Sequence, residues 1–242
     1  MKRIIPTVVL LLGIAVLIIG AACTENARRS GPSGDAVKQD RTVSAFDAVD
    51  IGGAFKVVIK QGSQEAVTVE ADADIIEKII TEVNGHTLKI YTEKDCCWDA
   101  HEMTIYLTVK DLNYMEISGA CELKTEGELR LDNLEMEVSG ASEMNLNLAL
   151  NKLDMNVSGA SEMNLSGSCD NVYMETSGAS ELDALNFKVS SMTIDASGAS
   201  DCKVNVVDKL QVEASGATSV RYTGSATVSS NTSGASSIER MK

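Results

Sequence analysis

The triplet Ser-Gly-Ala begins at Ser118, Ser139, Ser158, Ser177, Ser197, Ser215 and Ser233, at spacings of 21, 19, 19, 20, 18 and 18 residues. Self-similarity at a fixed short period is the mark of a stacked repeat, and it limits the possible folds more than any other feature of this chain. A unit of this length is too short for a helix-turn-helix. It suits a coil that turns once and lies on the next.

Alignment on the serine exposes the rest of the unit. One and three positions before it, the first three copies carry Ile117, Val138, Val157 and Met115, Met136, Met155, while Glu116, Glu137 and Asn156 stand between them. After the triplet, Glu122, Glu143, Glu162, Glu181 and Asp201 alternate with Leu123, Met144, Met163, Leu182 and Cys202. Period-two alternation predicts strands with one buried and one wet face, joined by a small-residue corner. The corner glycine suits either a positive φ or close approach of adjacent coils. Next to it, Cys121, Ser142, Ser161, Ser180, Ser200, Thr218 and Ser236 are small and mostly hydroxylic, placed to satisfy corner amides or to form a ladder. The expected fold is all-β: a parallel β-helix-like solenoid of about seven SGA-cornered rungs, roughly 34 Å long at the usual strand separation.

A serine nucleophile is one residue in one strained turn, supported by a histidine and an acid. Seven serines share one place here, and both histidines, His86 and His101, precede the first triplet. The serines read as corners. No catalytic residue, cofactor site or closed metal set stands out, so an enzyme is not expected.

The N-terminus, MKRIIPTVVLLLGIAVLIIGAAC, has a basic start at Lys2 and Arg3 and an apolar run from Ile4 to Ile19. Residues 1–22 read as an export signal. With Gly20-Ala21-Ala22 before Cys23, the segment resembles a bacterial lipoprotein signal, which implies lipidation at Cys23 and a membrane anchor. Gly20 departs from the leucine-like residue usual in that motif. Cleavage without lipid and a retained membrane anchor are the other readings. Residues 23–40 are polar and read as a tether, leaving 41–242 as the folded domain. Loss of residues 1–22 removes Lys2 and Arg3, so 35 acids face 19 bases and the net charge is −16. Such a charge argues against nucleic acid or an anionic membrane surface as a partner.

Beyond Cys23 the cysteines are Cys96, Cys97, Cys121, Cys169 and Cys202, an odd number in an oxidising compartment. Cys202 falls in an inward column and Cys121 replaces a corner hydroxyl, so both read as small fillers. Cys96 and Cys97 lie in KDCCWDAH with Asp99 and His101. That stretch fits ordinary thiols, a disulfide or a metal cluster, although its spacing matches no closed zinc pattern.

Ahead of the repeats, strands are expected between turns at Gly52-Gly53, Gly62 and Asn84-Gly85. DADIIEKIITEV, from Asp72, reads as a short helix capped by Asp72 or Asp74, with Ile75, Ile76, Ile79 and Ile80 on one face. RTVSAFDAVDIGGAFKVVIKQG, KDLNYMEISGA and the serial SGAS phrases ending in TSGASSIE resemble the head GIN domain family, exported adhesin-like proteins of Bacteroidetes-like bacteria. The resemblance covers about residues 40 to 239. It implies a β-helix-like fold and an adhesin role, and brings no catalytic residues.

The expected function is a non-enzymatic cell-envelope binding or adhesion module, with a surface glycan or protein as partner. The alternatives are a polysaccharide-cleaving enzyme on a β-helix and a structural spacer or envelope signalling component. Two outward columns are acidic, and in-register carboxylates ~4.8 Å apart repel by only ~0.9 kcal/mol in water. A solvated face carries that cost, and calcium bridging is a second use for it. The polar, charged stretch from Ser236 to Lys242 suits a terminal cap.

Overall fold

In the computed structural model the described residues are 36–94, 96 and 102–241. Residues 1–22, read above as an export signal, Cys23, and residues 24–35, 95, 97–101 and 242 lie outside them.

The head contains β1 (Ala36–Arg41), β2 (Ala48–Gly53), β3 (Lys56–Gln61), β4 (Ala66–Asp72), β5 (Ile79–Asn84), β6 (Thr87–Thr92) and β7 (Thr104–Val109). Then come β8 (Tyr114–Gly119), β9 (Glu122–Thr125), β10 (Leu129–Arg130) and β11 (Asn133–Gly140). The long strands β12 (Glu143–Gly159), β13 (Glu162–Gly178), β14 (Glu181–Ala196) and β15 (Asp201–Ala214) follow. The last rung and a half are β16 (Ser219–Thr223), β17 (Thr227–Thr232) and β18 (Ser237–Arg240). The chain is nearly all strand, wound as a parallel β-solenoid of about seven turns.

The repeats stack in register. Ser139 lies between Ser118 and Ser158, and Gly140 between Gly119 and Gly159. At each corner the alanine N–H donates to the glycine carbonyl one rung below, as Ala141 does to Gly119 and Ala160 to Gly140, both at 2.8 Å. The two glycine properties left open by the sequence operate together. Gly140 has φ 107°, and a Cβ on it would collide with the Gly119 carbonyl.

A second corner lies on the far side of each coil. Alternation breaks at exposed Asn151 and Lys152, between buried Leu150 and Leu153, and both N–H groups donate to the Asp132 carbonyl. The alternation breaks likewise at exposed Asp170-Asn171 and Asp208-Lys209.

The core is a set of columns. Met115, Met136, Met155, Met174, Ile194 and Val212 stack fully buried, and Ser230 ends the column exposed. Burial of such side chains is worth roughly 1.5–3 kcal/mol each and is the main force holding the rungs together. The corner column runs Phe55, Cys121, Ser142, Ser161, Ser180, Ser200, Thr218, all buried. Its hydroxyls only partly meet the expected role: Ser142 Oγ accepts the Cys121 N–H at 3.3 Å, but Ser161 and Ser180 have no hydrogen-bond partner among the described residues.

The head departs from the sequence reading in three ways. Residues 72–83 form a 3-10 turn at Ile76–Lys78 and then β5, in place of a helix. No side chain caps the turn, and β-branched Ile79 and Ile80 pair with Thr92 and Tyr91 across a hairpin turned at Asn84-Gly85. Ala36–Asp40, read as the end of the tether, belongs to β1, antiparallel to β4. Its polar side chains concealed a strand: Lys38 pairs with Glu70 at 3.2 Å, and Arg41 donates to the Ile76 carbonyl at 2.6 Å. Finally, Ile51-Gly52-Gly53 aligns with Ile117-Ser118-Gly119, so IGGAF is an eighth corner.

Candidate functional site

The strands entering the corner carry one outward column, Asp50, Glu116, Glu137, Asn156, Glu175, Asp195, Glu213 and Asn231, in continuous register. The strands leaving it carry Glu122, Glu143, Glu162, Glu181 and Asp201. Both columns expected from the sequence are thus assembled.

Their surroundings differ. The column after the corner is partly neutralised, by Lys56 near Glu122 at 3.7 Å, Lys203 on Glu181 at 3.0 Å and Arg221 on Asp201 at 2.5 Å. The column before it meets Lys89 on Asp50 at 2.8 Å, at the head end. Beside it runs a parallel outward column, Tyr114, Glu135, Asp154, Tyr173, Thr193 and Gln211. Lys152 binds Asp154 at 2.6 Å, and among the described residues Glu135, Glu137 and Glu175 make no salt bridge. The lysines at the head were not recognisable from sequence, because the head rungs lack the repeated phrase.

Between the two columns lies a groove of about 360 Å³, lined by Glu135, Glu137, Asp154, Asn156, Tyr173 and Glu175. Tyr173 is 39% exposed, as is Tyr91 in the head, and its hydroxyl is fixed to Asp195 at 2.9 Å. That bond raises the Tyr173 phenol above its ordinary value, chiefly through Asp195. Burial raises the Tyr114 phenol, with Glu116 and Glu137 adding to it. A rigid ring among carboxylates favours a cationic group, by cation–π and Coulomb attraction together.

The cysteines separate into two sets. Cys121, Cys169 and Cys202 are free and buried, and burial pushes the Cys169 thiol to about 11 and that of Cys202 to about 12. They are packing residues, as read for Cys121 and Cys202. Cys96 is in a disulfide, and Asp95 and residues 97–101 of the KDCCWDAH stretch lie outside the described residues. Among the described residues no group of three or more His, Cys, Asp or Glu is arranged to hold a metal ion.

Residues 45–226 match the family described as "putative auto-transporter adhesin, head GIN domain". No curated protein matches the chain. Among solved structures it is similar to a "putative adhesin" from Bacteroides fragilis, with 22% identity and TM-score 0.83 over 87% of this chain and 99% of that one. It is also similar to a "putative lipid binding protein" from Parabacteroides distasonis (17% identity, TM-score 0.70, 87% and 98% covered). A third is a "putative adhesin" from Parabacteroides merdae (15%, 0.68, 87% and 98%). At these identities the likeness is one of fold.

Proposed function

Because the chain belongs to the head GIN domain family of auto-transporter adhesins, we propose that it is a non-enzymatic binding or adhesion module of the cell envelope, tethered through a lipid on Cys23. Its partner is a surface protein or glycan. The family makes this a cell-surface or exported protein, and the solenoid supplies long, regular faces of the kind that hold extended partners.

The observation that carries the reading is the Tyr173 groove, where an exposed ring is fixed among in-register carboxylates. A basic segment of a surface protein fits this face. Calcium bridging neighbouring carboxylates is the second way the face engages a partner.

The test is titration of the mature chain with a lysine-rich peptide and, in parallel, a glutamate-rich one of equal length. The basic peptide is expected to bind, to weaken with added salt, and to lose at least about tenfold in affinity on Tyr173→Ala. Equal binding of both peptides, or indifference to Tyr173→Ala, overturns this use of the face. Melting with calcium, magnesium or chelator decides the calcium form: only a calcium-specific rise supports it.

A further inference from the structure

On the strands leaving the corner, one place breaks the regular relief of the outward columns. Asn145, Asn164 and Asp183 are register partners, as are Asn147, Ser166 and Asn186. The middle rung thus places a short serine between two asparagines. Next to it, Gly167 is closed to a side chain: a Cβ there would strike the Leu148 carbonyl and come within 3.1 Å of Asn147 Oδ1.

The wall on the next rung is raised by an extra residue. The register shifts between the Asn164/Ser166 pair and its partners Asp183 and Asn186, which makes a bulge. Leu185 N–H donates to Asp183 Oδ1 at 3.2 Å, and Asn205 Nδ2 donates to the Leu185 carbonyl at 3.2 Å, so the bulge is held from both sides. Bulges re-aim side chains and occur beside binding sites more often than elsewhere. The resulting notch has a volume of about 380 Å³, in the range of small-ligand sites. It spans two strand separations, about 10 Å.

The amides here are not consumed by the fold. Asparagines stacked in register ordinarily bond to one another in a ladder. Asn145 Nδ2 turns instead to Glu143 Oε1 at 3.2 Å, and among the described residues the side chains of Asn164 and Asn186 make no hydrogen bond. Each amide offers an acceptor oxygen and two N–H donors, which matches hydroxyl groups that both donate and accept. Asp183 supplies a further acceptor, with Lys203 Nζ 3.9 Å from its Oδ2 and Lys124 at the other end of the same column, so the bias against an anion comes from the strongly acidic chain as a whole.

We propose that this notch binds a neutral glycan through its hydroxyl groups. The assignment rests on the binding-module reading and adds a second site to it, on a different face from the Tyr173 groove. No aromatic ring lines the notch, so each copy holds its sugar weakly and firm attachment comes from many copies engaging one surface.

The experiment presents the mature chain, displayed on beads, to immobilised neutral gluco-, galacto-, manno- and N-acetylhexosamine oligosaccharides and to uronate oligomers of the same length. At least one neutral class is expected to retain tenfold more beads than the uronates. Asn164→Ala with Asn186→Ala is expected to abolish that excess with the melting temperature unchanged, because neither amide holds the fold. Ser166→Leu, which fills the dip, is expected to do the same, whereas Tyr173→Ala leaves glycan retention intact. Retention that survives both notch variants, Asn164→Ala with Asn186→Ala and Ser166→Leu, overturns the site. Failure of every neutral glycan, with the lysine-rich peptide still bound through Tyr173, overturns the glycan proposal and leaves the binding module standing. Failure of both probes overturns the two together.

Discussion

A Cβ on Gly140 would fall on the carbonyl oxygen of Gly119, the same oxygen that accepts the Ala141 N–H at 2.8 Å. The corner is therefore closed to every other residue for two separate reasons, positive φ and contact with the rung below. Gly85 has only the first: its φ is 66°, and nothing lies within 4 Å of a Cβ built there. Gly85→Ala is expected to cost about 1–2 kcal/mol. Gly140→Ala adds a backbone collision and should cost at least about 3 kcal/mol. Urea melts of the two variants check the ordering, and equal losses would refute the stacking argument.

The buried corner serines are not equivalent. Ser142 accepts an N–H, while Ser161 and Ser180 bury hydroxyls without partners. An unpaired buried polar group costs about 1–3 kcal/mol, so Ser161→Ala and Ser180→Ala should leave stability unchanged or raise it. Ser142→Ala should lower it by about 1 kcal/mol. Denaturant midpoints distinguish these outcomes, and a loss above about 1 kcal/mol at Ser161 would contradict them.

Burial raises the thiols of Cys121, Cys169 and Cys202 and removes them from solvent. Alkylation of the native chain at pH 8, mapped by mass spectrometry, is expected to spare all three. Urea should expose them together, because the columns unfold together. Rapid native labelling at Cys202 would contradict the packing described.

Glu70 lies below the ordinary carboxylate value, chiefly because the Tyr106 hydroxyl donates to it at 2.7 Å and then because of Lys38 at 3.2 Å. A carboxyl depressed in the folded state contributes stability above its unfolded value of 4.5, and that contribution is lost as pH falls through the lower folded value. Acid should therefore loosen β1 from β4, seen as faster amide exchange across 36–41 below about pH 4. Glu70→Gln should flatten this acid limb. A limb of unchanged depth would assign it to other groups.

From Ser118 onward the fold was readable in the sequence because the same alternation recurs seven times against one fixed corner. Both acidic columns follow from it. The far corner was also signalled, by polar pairs such as Asn151-Lys152 that break the alternation. The 20-residue spacing from Ser177 to Ser197 announced the extra residue behind the bulge, though not its place. The head was harder. Ile75, Ile76, Ile79 and Ile80 satisfy a helical stripe as readily as a hairpin, and tertiary pairing with β6 decided between them. In the corner IGGAF, glycine and phenylalanine stand where the repeats have serine and a small residue, so nothing local tied it to the stack. The notch on the leaving strands depends on the relative heights of Asn147, Ser166 and Asn186, which only register across rungs brings together.

The rung formed by β2 and β3 is enclosed by β6 and β7 on one side and by β8 and β9 on the other. Order of synthesis and order of stacking therefore disagree. The first layer to emerge must wait, unsheltered on both surfaces, until later segments arrive from opposite directions. Contacts of such long sequence separation form slowly. Until those segments arrive, the β2–β3 layer has two open edges, so this molecule assembles from the inside outward.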